Sequence, residues 1–133
     1  MRVLALVALG LVATSAASAQ AVLPCSGGYE LIRTDTINPG KFDEFKEAVR
    51  GNQAWYTAHG MKDKVLLGQV VNMQGPNGSA AFSTDTAMTV HTGIDPNADD
   101  PAHDAAYGAF VAKYKDSSII KSTMMVCVSD ISK

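Results

Sequence analysis

Along this chain, stretches where apolar residues alternate with polar ones take turns with stretches where they recur every three or four positions. Tyr29 to Ile37 reads as a strand, with Leu31, Ile32 and Ile37 among threonines and charges and Gly27-Gly28 marking its start. Asn38-Pro39-Gly40 ends the strand and predicts a helix opening, with Asn38 as cap and Pro39 at the first helical position. From Phe42 the spacing is helical, through Phe45, Ala48 and Val49 to Trp55 and Tyr56. Gly51 weakens the middle of that helix by about 1 kcal/mol relative to Ala, and Gly60 stands where a helix C′ residue belongs. Lys64 to Met73, rich in Val and Leu, is a second strand, and Gln74 to Gly78 is a turn by composition. Ser79 to Gly93 is mostly extended, with its best strand core at Ala87 to Thr92. After a polar loop, Asp100-Pro101 is expected to cap and open a second helix carrying Tyr107, Phe110, Val111 and Tyr114 at helical spacing. A last strand runs from about Ser122 to Ser129, with Met124, Val126 and Val128 on one face.

The order β-α-β-β-α-β is the split βαβ, or ferredoxin-like, pattern of an α+β fold. In that topology the fourth strand lies beside the first, antiparallel. Cys25 precedes the first strand and Cys127 is late in the fourth, so the pairing brings them to the same end of the sheet. Two cysteines in an exported protein most simply form one disulfide, the alternative being two separate thiols. The closed loop would hold about 100 residues, worth roughly 4 to 5 kcal/mol on the chain-entropy account.

Export itself is read from the first residues. Arg2 gives a positive start, Val3 to Val12 is apolar apart from Gly10, and Ala17-Ser18-Ala19 forms an A-x-A cleavage site. Residues 1–19 therefore read as a signal peptide, with Gln20 as the new N-terminus and 20–133 as a single secreted or periplasmic domain. A retained anchor is the rival, but the run is short and ends in small residues. Lipoprotein processing at Cys25 is disfavoured by Pro24 directly before it. Loss of Arg2 leaves 10 basic against 13 acidic residues, a net charge of −3. A mildly acidic chain without a basic stripe lacks the footprint of a nucleic-acid binder, and once the signal is cleaved no membrane-spanning run remains.

Tyr29-Glu30-Leu31 in a strand, followed by Asn38-Pro39-Gly40-Lys41-Phe42 and Phe45 opening a helix, resembles the start of the dimeric α/β-barrel superfamily. The NIPSNAP-like and antibiotic-biosynthesis-monooxygenase-like branches are the most similar. The resemblance covers about Tyr29 to Ser129. It implies a homodimer in which two ferredoxin-like sheets pack face to face, helices outside, with a pocket between helices and sheet or inside the barrel.

Alternation along the strands suggests which residues would reach such a pocket. If the apolar sets Met88 and Val90, and Met124, Val126 and Val128, face the helices, then Thr89 and His91 point to the barrel side. His91 there is a candidate general base or ligand contact. Arg33, sharing a strand face with Asp35, is its candidate polar partner for a carboxylate or carbonyl. The plainer readings are an interface histidine and an ordinary salt bridge. If the protein has a ligand site, His91 is expected to line it from the barrel side, with Arg33 as polar partner: His91 facing the helix layer would end that proposal. Trp55 and His59, four apart on a helix, are further ligand-binding candidates at a pocket mouth, although aromatics at helical spacing are more often core.

Haem-degrading members of the superfamily use an Asn, a Trp and a His. Asn38, Trp55 and His103 are present as types but do not fall on that motif, so haem is not carried over. Asp95 to Asp99 begins like a calcium loop, then fails at the required Gly, where Asp100 sits, and at the distal Glu, where Ala106 sits. His91 and His103 without further close ligands make a weak zinc set. No serine-hydrolase elbow, phosphate loop or dinucleotide fingerprint occurs, and the sequence implies no cofactor and no metal. The resulting expectation is an exported small-molecule-binding dimer for a small apolar or aromatic ligand. The alternatives are a cofactor-independent monooxygenase or isomerase acting on a small aromatic or polyketide-like substrate, and a structural dimer without a ligand. The lack of a convincing acid–base pair favours binding.

Overall fold

A computed structural model describes residues 24–73 and 78–129. The expected signal peptide, and all but the last residue of the Gln74–Gly78 turn, lie outside the described residues. The elements run β1 (Tyr29–Ile37), α1 (Phe42–Ala58), β2 (Lys64–Asn72), β3 (Ala81–Ile94), α2 (Ala105–Ser117) and β4 (Ser118–Cys127). The strands form one antiparallel sheet in the order β2-β3-β1-β4, with both helices packed on one face. This is an α+β architecture compatible with the ferredoxin-like pattern.

Both helices start later than the sequence suggests. Asn38 does not cap α1, because its hydrogen bonds go to the end of α2. Its side-chain amide donates to the Asp116 carbonyl at 2.7 Å, and its backbone N–H to the Ser117 carbonyl at 2.8 Å. The helix then begins at Phe42 with Lys41 in the cap position, and the Lys41 ammonium bridges Glu44 and Asp116. Asp43 and Glu44 in the first turn suit the positive end of the helix dipole. In α2 the capping chemistry is as expected but four residues further on. Asp104, not Asp100, accepts the Tyr107 N–H at 2.8 Å. Gly60, with φ +68°, follows the end of α1 as anticipated.

Ile37, Phe45, Ala48, Val49, Trp55 and Val65 form the core with Ala87, Phe110 and Tyr114. Gly51 has a packing reason: a Cβ there would lie 2.9 Å from Phe110 Cβ, so the helix crossing needs glycine at this contact.

The assignment of strand faces is the main correction. Ala87, Thr89 and His91 of β3 are buried under the helices, as are Asp35 and Ile37 of β1. Met88 and Val90 therefore point to the face without helices. In β4 the register pairs Met125 with Leu31 and Met124 with Ile32, so Met124 is also on that open face. One apolar row crosses the open face through all four strands: Leu66, Val90, Ile32 and Met124.

The disulfide joins Cys25 to Cys127, with Cα atoms 5.6 Å apart across a sequence separation of 102. Beside it, the chain from Gly27 passes so close to β4 that a Cβ at this position would sit 1.9 Å from the Val128 carbonyl oxygen. Such a bridge belongs to a non-reducing compartment. No described helix is long and apolar enough to cross a membrane. The β2–β3 pairing shifts register between Gln69 and Val71, where the extra residues lie on β3, and the β1–β4 pairing shifts where β4 carries the extra residue Lys121.

Candidate functional site

The helix layer does not lie flush on the sheet. Between them is a cavity of about 750 Å³, with Arg33 and His91 on the sheet side and Trp55, Tyr56, Phe110 and Tyr114 on the helix side. Strand period places the first two. Arg33 and His91 lie on the same sheet face, on neighbouring strands β1 and β3. Helix period places the others, since Tyr107, Phe110, Val111 and Tyr114 fall on one stripe of α2.

His91 is 5 % exposed, and its Nδ1 lies 3.2 Å from the Tyr56 hydroxyl. Burial, helped by the Arg33 charge, lowers its pKa from the ordinary 6.5 to about 4. The ring is therefore neutral near pH 7, and Nε2 makes no hydrogen bond among the described residues. Burial, then the Asp63 charge, pushes the Tyr56 phenol up to about 12, so it keeps its proton. The pair is a neutral hydrogen-bonding unit in which one partner donates and the other accepts.

Arg33 is the other polar feature of the cavity. Its Nε is 3.7 Å from Asp35 Oδ2, too far for a hydrogen bond, and its guanidinium carbon stands 5.1 Å from the centre of the Tyr114 ring. Nε is buried without a partner, and Arg33 makes no side-chain hydrogen bond among the described residues. Asp35 is fully buried; Ser118 Oγ donates to its Oδ1 at 3.1 Å, and Oδ2 has no hydrogen bond. The Tyr114 hydroxyl is also buried without a partner, Asn52 approaching it outside hydrogen-bond geometry. Burial raises the Tyr114 pKa, with Asn52 and Arg33 opposing the rise. These unpaired atoms have essentially no accessible surface and lie behind the cavity wall, so what the site offers a bound molecule is the remainder of the Arg33 side chain, which is 21 % exposed and lines the cavity.

Of the residues singled out from sequence, His91, Arg33 and Trp55 meet at this one cavity, but on the helix side of the sheet. The barrel-side orientation of His91 and Thr89 does not hold, and a site built on it is withdrawn. The Arg33–Asp35 pairing is present, under the helices rather than at the opposite face. His59 lies elsewhere. Its ring packs on the far side of Trp55 at 4.6 Å, its Nε2 is 3.6 Å from Asp104 Oδ2, and it lines a smaller groove of about 390 Å³ between the helices. Trp55 itself is core, with its indole N–H donating to Asp104 Oδ1 at 3.1 Å. Sequence reasoning missed Asn52, and it read Tyr107 and Tyr114 only as apolar spacing. The available signal was that two residues of the α2 stripe carry hydroxyls, which need partners when buried.

Acidification tests the environment of His91. Its folded pKa lies below the unfolded value, so its contribution to stability is present above about pH 6.5 and is lost as pH falls through about 4. The expected loss is on the order of 2 kcal/mol, after allowing for water in the cavity. Denaturant midpoints at pH 7 and pH 4 measure it, and His91→Gln should flatten the difference. An equal drop in wild type and variant would assign the acid sensitivity to other groups.

No family model matches the chain, and no curated protein or solved structure matches it.

Proposed function

We propose that this chain is an exported protein that binds a small apolar or aromatic molecule in the helix-side cavity and works as a homodimer of the dimeric α/β-barrel kind. The observation that carries the binding reading is the cavity itself. At about 750 Å³ it falls in the range of ligand pockets, and its aromatic walls carry two polar side chains of the sheet, Arg33 and His91. A purely structural dimer gives no reason for that hollow. A monooxygenase or isomerase would need a stronger base than His91, because an imidazole with pKa about 4 is a poor proton acceptor near pH 7. Export is supported by the N-terminal pattern and by the disulfide.

Trp55 is the only tryptophan and lines the cavity, so intrinsic fluorescence reports occupancy directly. Titration with naphthalene derivatives should give a saturable change in Trp55 emission, reduced several-fold in affinity by Tyr107→Ala. An unchanged spectrum together with no heat of binding up to millimolar ligand would overturn the reading.

The dimer rests on the open face. Two helices cover one side of the sheet, while Leu66, Val90, Ile32 and Met124 form an apolar row on the other, with Leu66 56 % and Met124 50 % exposed. A second copy of the same face would bury this row by two-fold symmetry. Sedimentation at micromolar concentration should give the mass of two chains, and Val90→Lys the mass of one. A wild-type monomer would sink the proposal.

A further inference from the structure

The charge around the cavity goes beyond the shape of its ligand. Arg33 looks like a ready anion site, since its side chain lines the hollow, is 21 % exposed and makes no hydrogen bond among the described residues. Yet it already has a counter-ion. Asp35, fully buried beneath it with Oδ2 at 3.7 Å, offsets part of its charge as seen from the cavity. The other charged residues on the lining are Lys115 against Asp63, Asp95 and Asp100. Asp63 and Asp95 lie close enough to act on each other, since Asp95 adds to the rise in the Asp63 pKa. The lining is thus negative overall, while the accessible N–H groups of Arg33 make no hydrogen bond among the described residues and remain able to donate. A carboxylate entering this space meets donors but also a buried like charge one guanidinium away and an acidic rim. An uncharged oxygen acceptor meets the donors alone.

We infer that Asp35 sets the charge this cavity accepts, so that a neutral ligand with a carbonyl oxygen turned toward Arg33 is bound in preference to the corresponding carboxylate. This rests on the proposed binding function and deepens it. Asp35 is a specificity-determining residue that acts through Arg33 without touching the ligand. Ser118, donating to Oδ1, fixes the carboxylate in place, and the Tyr114 ring holds the guanidinium from the other side. The apolar body of the ligand would extend along Ile119, Ile120 and Met125, which line the same cavity and are otherwise exposed.

The test compares two probes of one shape, 2-acetylnaphthalene and 2-naphthoate, by calorimetry at pH 7.5. Wild type should bind the ketone at least about tenfold more tightly, the size expected for a buried like charge at roughly 7 Å. Asp35→Asn should tighten 2-naphthoate by about tenfold and change the ketone by less than about threefold. Asp35→Thr, which suits a strand and keeps a group for Ser118, is the second variant should Asp35→Asn fail to fold by circular dichroism. Wild type binding 2-naphthoate as well as the ketone, or a ratio unchanged in the folded variant, would overturn the inference while leaving the binding function intact. Failure of both probes to bind wild type would overturn the binding function and this inference with it.

Discussion

Replacing Cys25 and Cys127 with serine is expected to remove about 3 to 5 kcal/mol of stability. The bridge closes a loop of 102 residues, nearly the whole described domain, so cutting it restores most of the freedom of the unfolded chain. Native proteins of this size hold only about 5 to 15 kcal/mol in total, so the loss is a large share of what keeps the domain folded. The melting temperature should fall by roughly 15 to 25 °C. The damage should also be local in the folded state. Tyr29 pairs with Cys127 at the end of the β1–β4 ladder, and Val128 donates to the Gly28 carbonyl at 3.0 Å just beyond it. Backbone amides there should exchange faster in the variant. Chemical denaturation with and without reductant checks the claim: wild type under reduction should match the double serine variant. Coincident midpoints for oxidised and reduced protein would remove the bridge from the account of stability.

The second large effect is expected at Phe45. Its side chain is fully buried, and its ring meets Tyr114 edge to face at 5.4 Å. Phe45→Ala should cost about 3 to 5 kcal/mol, through lost burial and the hollow left behind. The consequence reaches the ligand cavity, because Tyr114 is the surface on which Arg33 rests. Phe45→Ala should therefore weaken ligand binding as well as stability, measured under conditions where the variant is still fully folded. Phe45→Leu, which refills most of the volume, should recover the greater part of both. Destabilisation with undiminished binding would show that Tyr114 keeps its place without Phe45.

Much of the fold could be read from residue pattern alone, and the errors have two causes. Strand 1 is bounded as expected, the four strands and two helices occur in the expected order, and Cys25 meets Cys127. What failed was the rule that the apolar face of a strand lies under the helices. On β3 that rule chose Met88 and Val90, yet Thr89 and His91 are the buried pair. Under the helices the sheet carries Arg33, Asp35, Thr89 and His91, a polar set that makes sense only if something other than hydrocarbon packs against part of it. The open face carries the aliphatic row instead. A single strand cannot reveal this, because both of its faces offer a plausible partner. Helix starts were misplaced for a different reason. Asn38 and Asp100 are sound capping residues in isolation, but Asn38 bonds to the end of α2, and Asp104, nearer the apolar stripe, takes the role expected of Asp100.

The interrupted register of the outer strand β4 has a bearing on how the protein behaves at high concentration. A regular edge strand offers a row of unpaired N–H and C=O groups on which strands from other molecules can add without limit. Here β4 carries the extra residue Lys121 opposite β1, adding a charge to the irregularity. Sheet growth from that side is thereby interrupted after a few residues. Despite the exposed isoleucines and methionines of β4, fibrillar self-templating is disfavoured, and straightening β4 by deleting Lys121 is the change that would expose the chain to it.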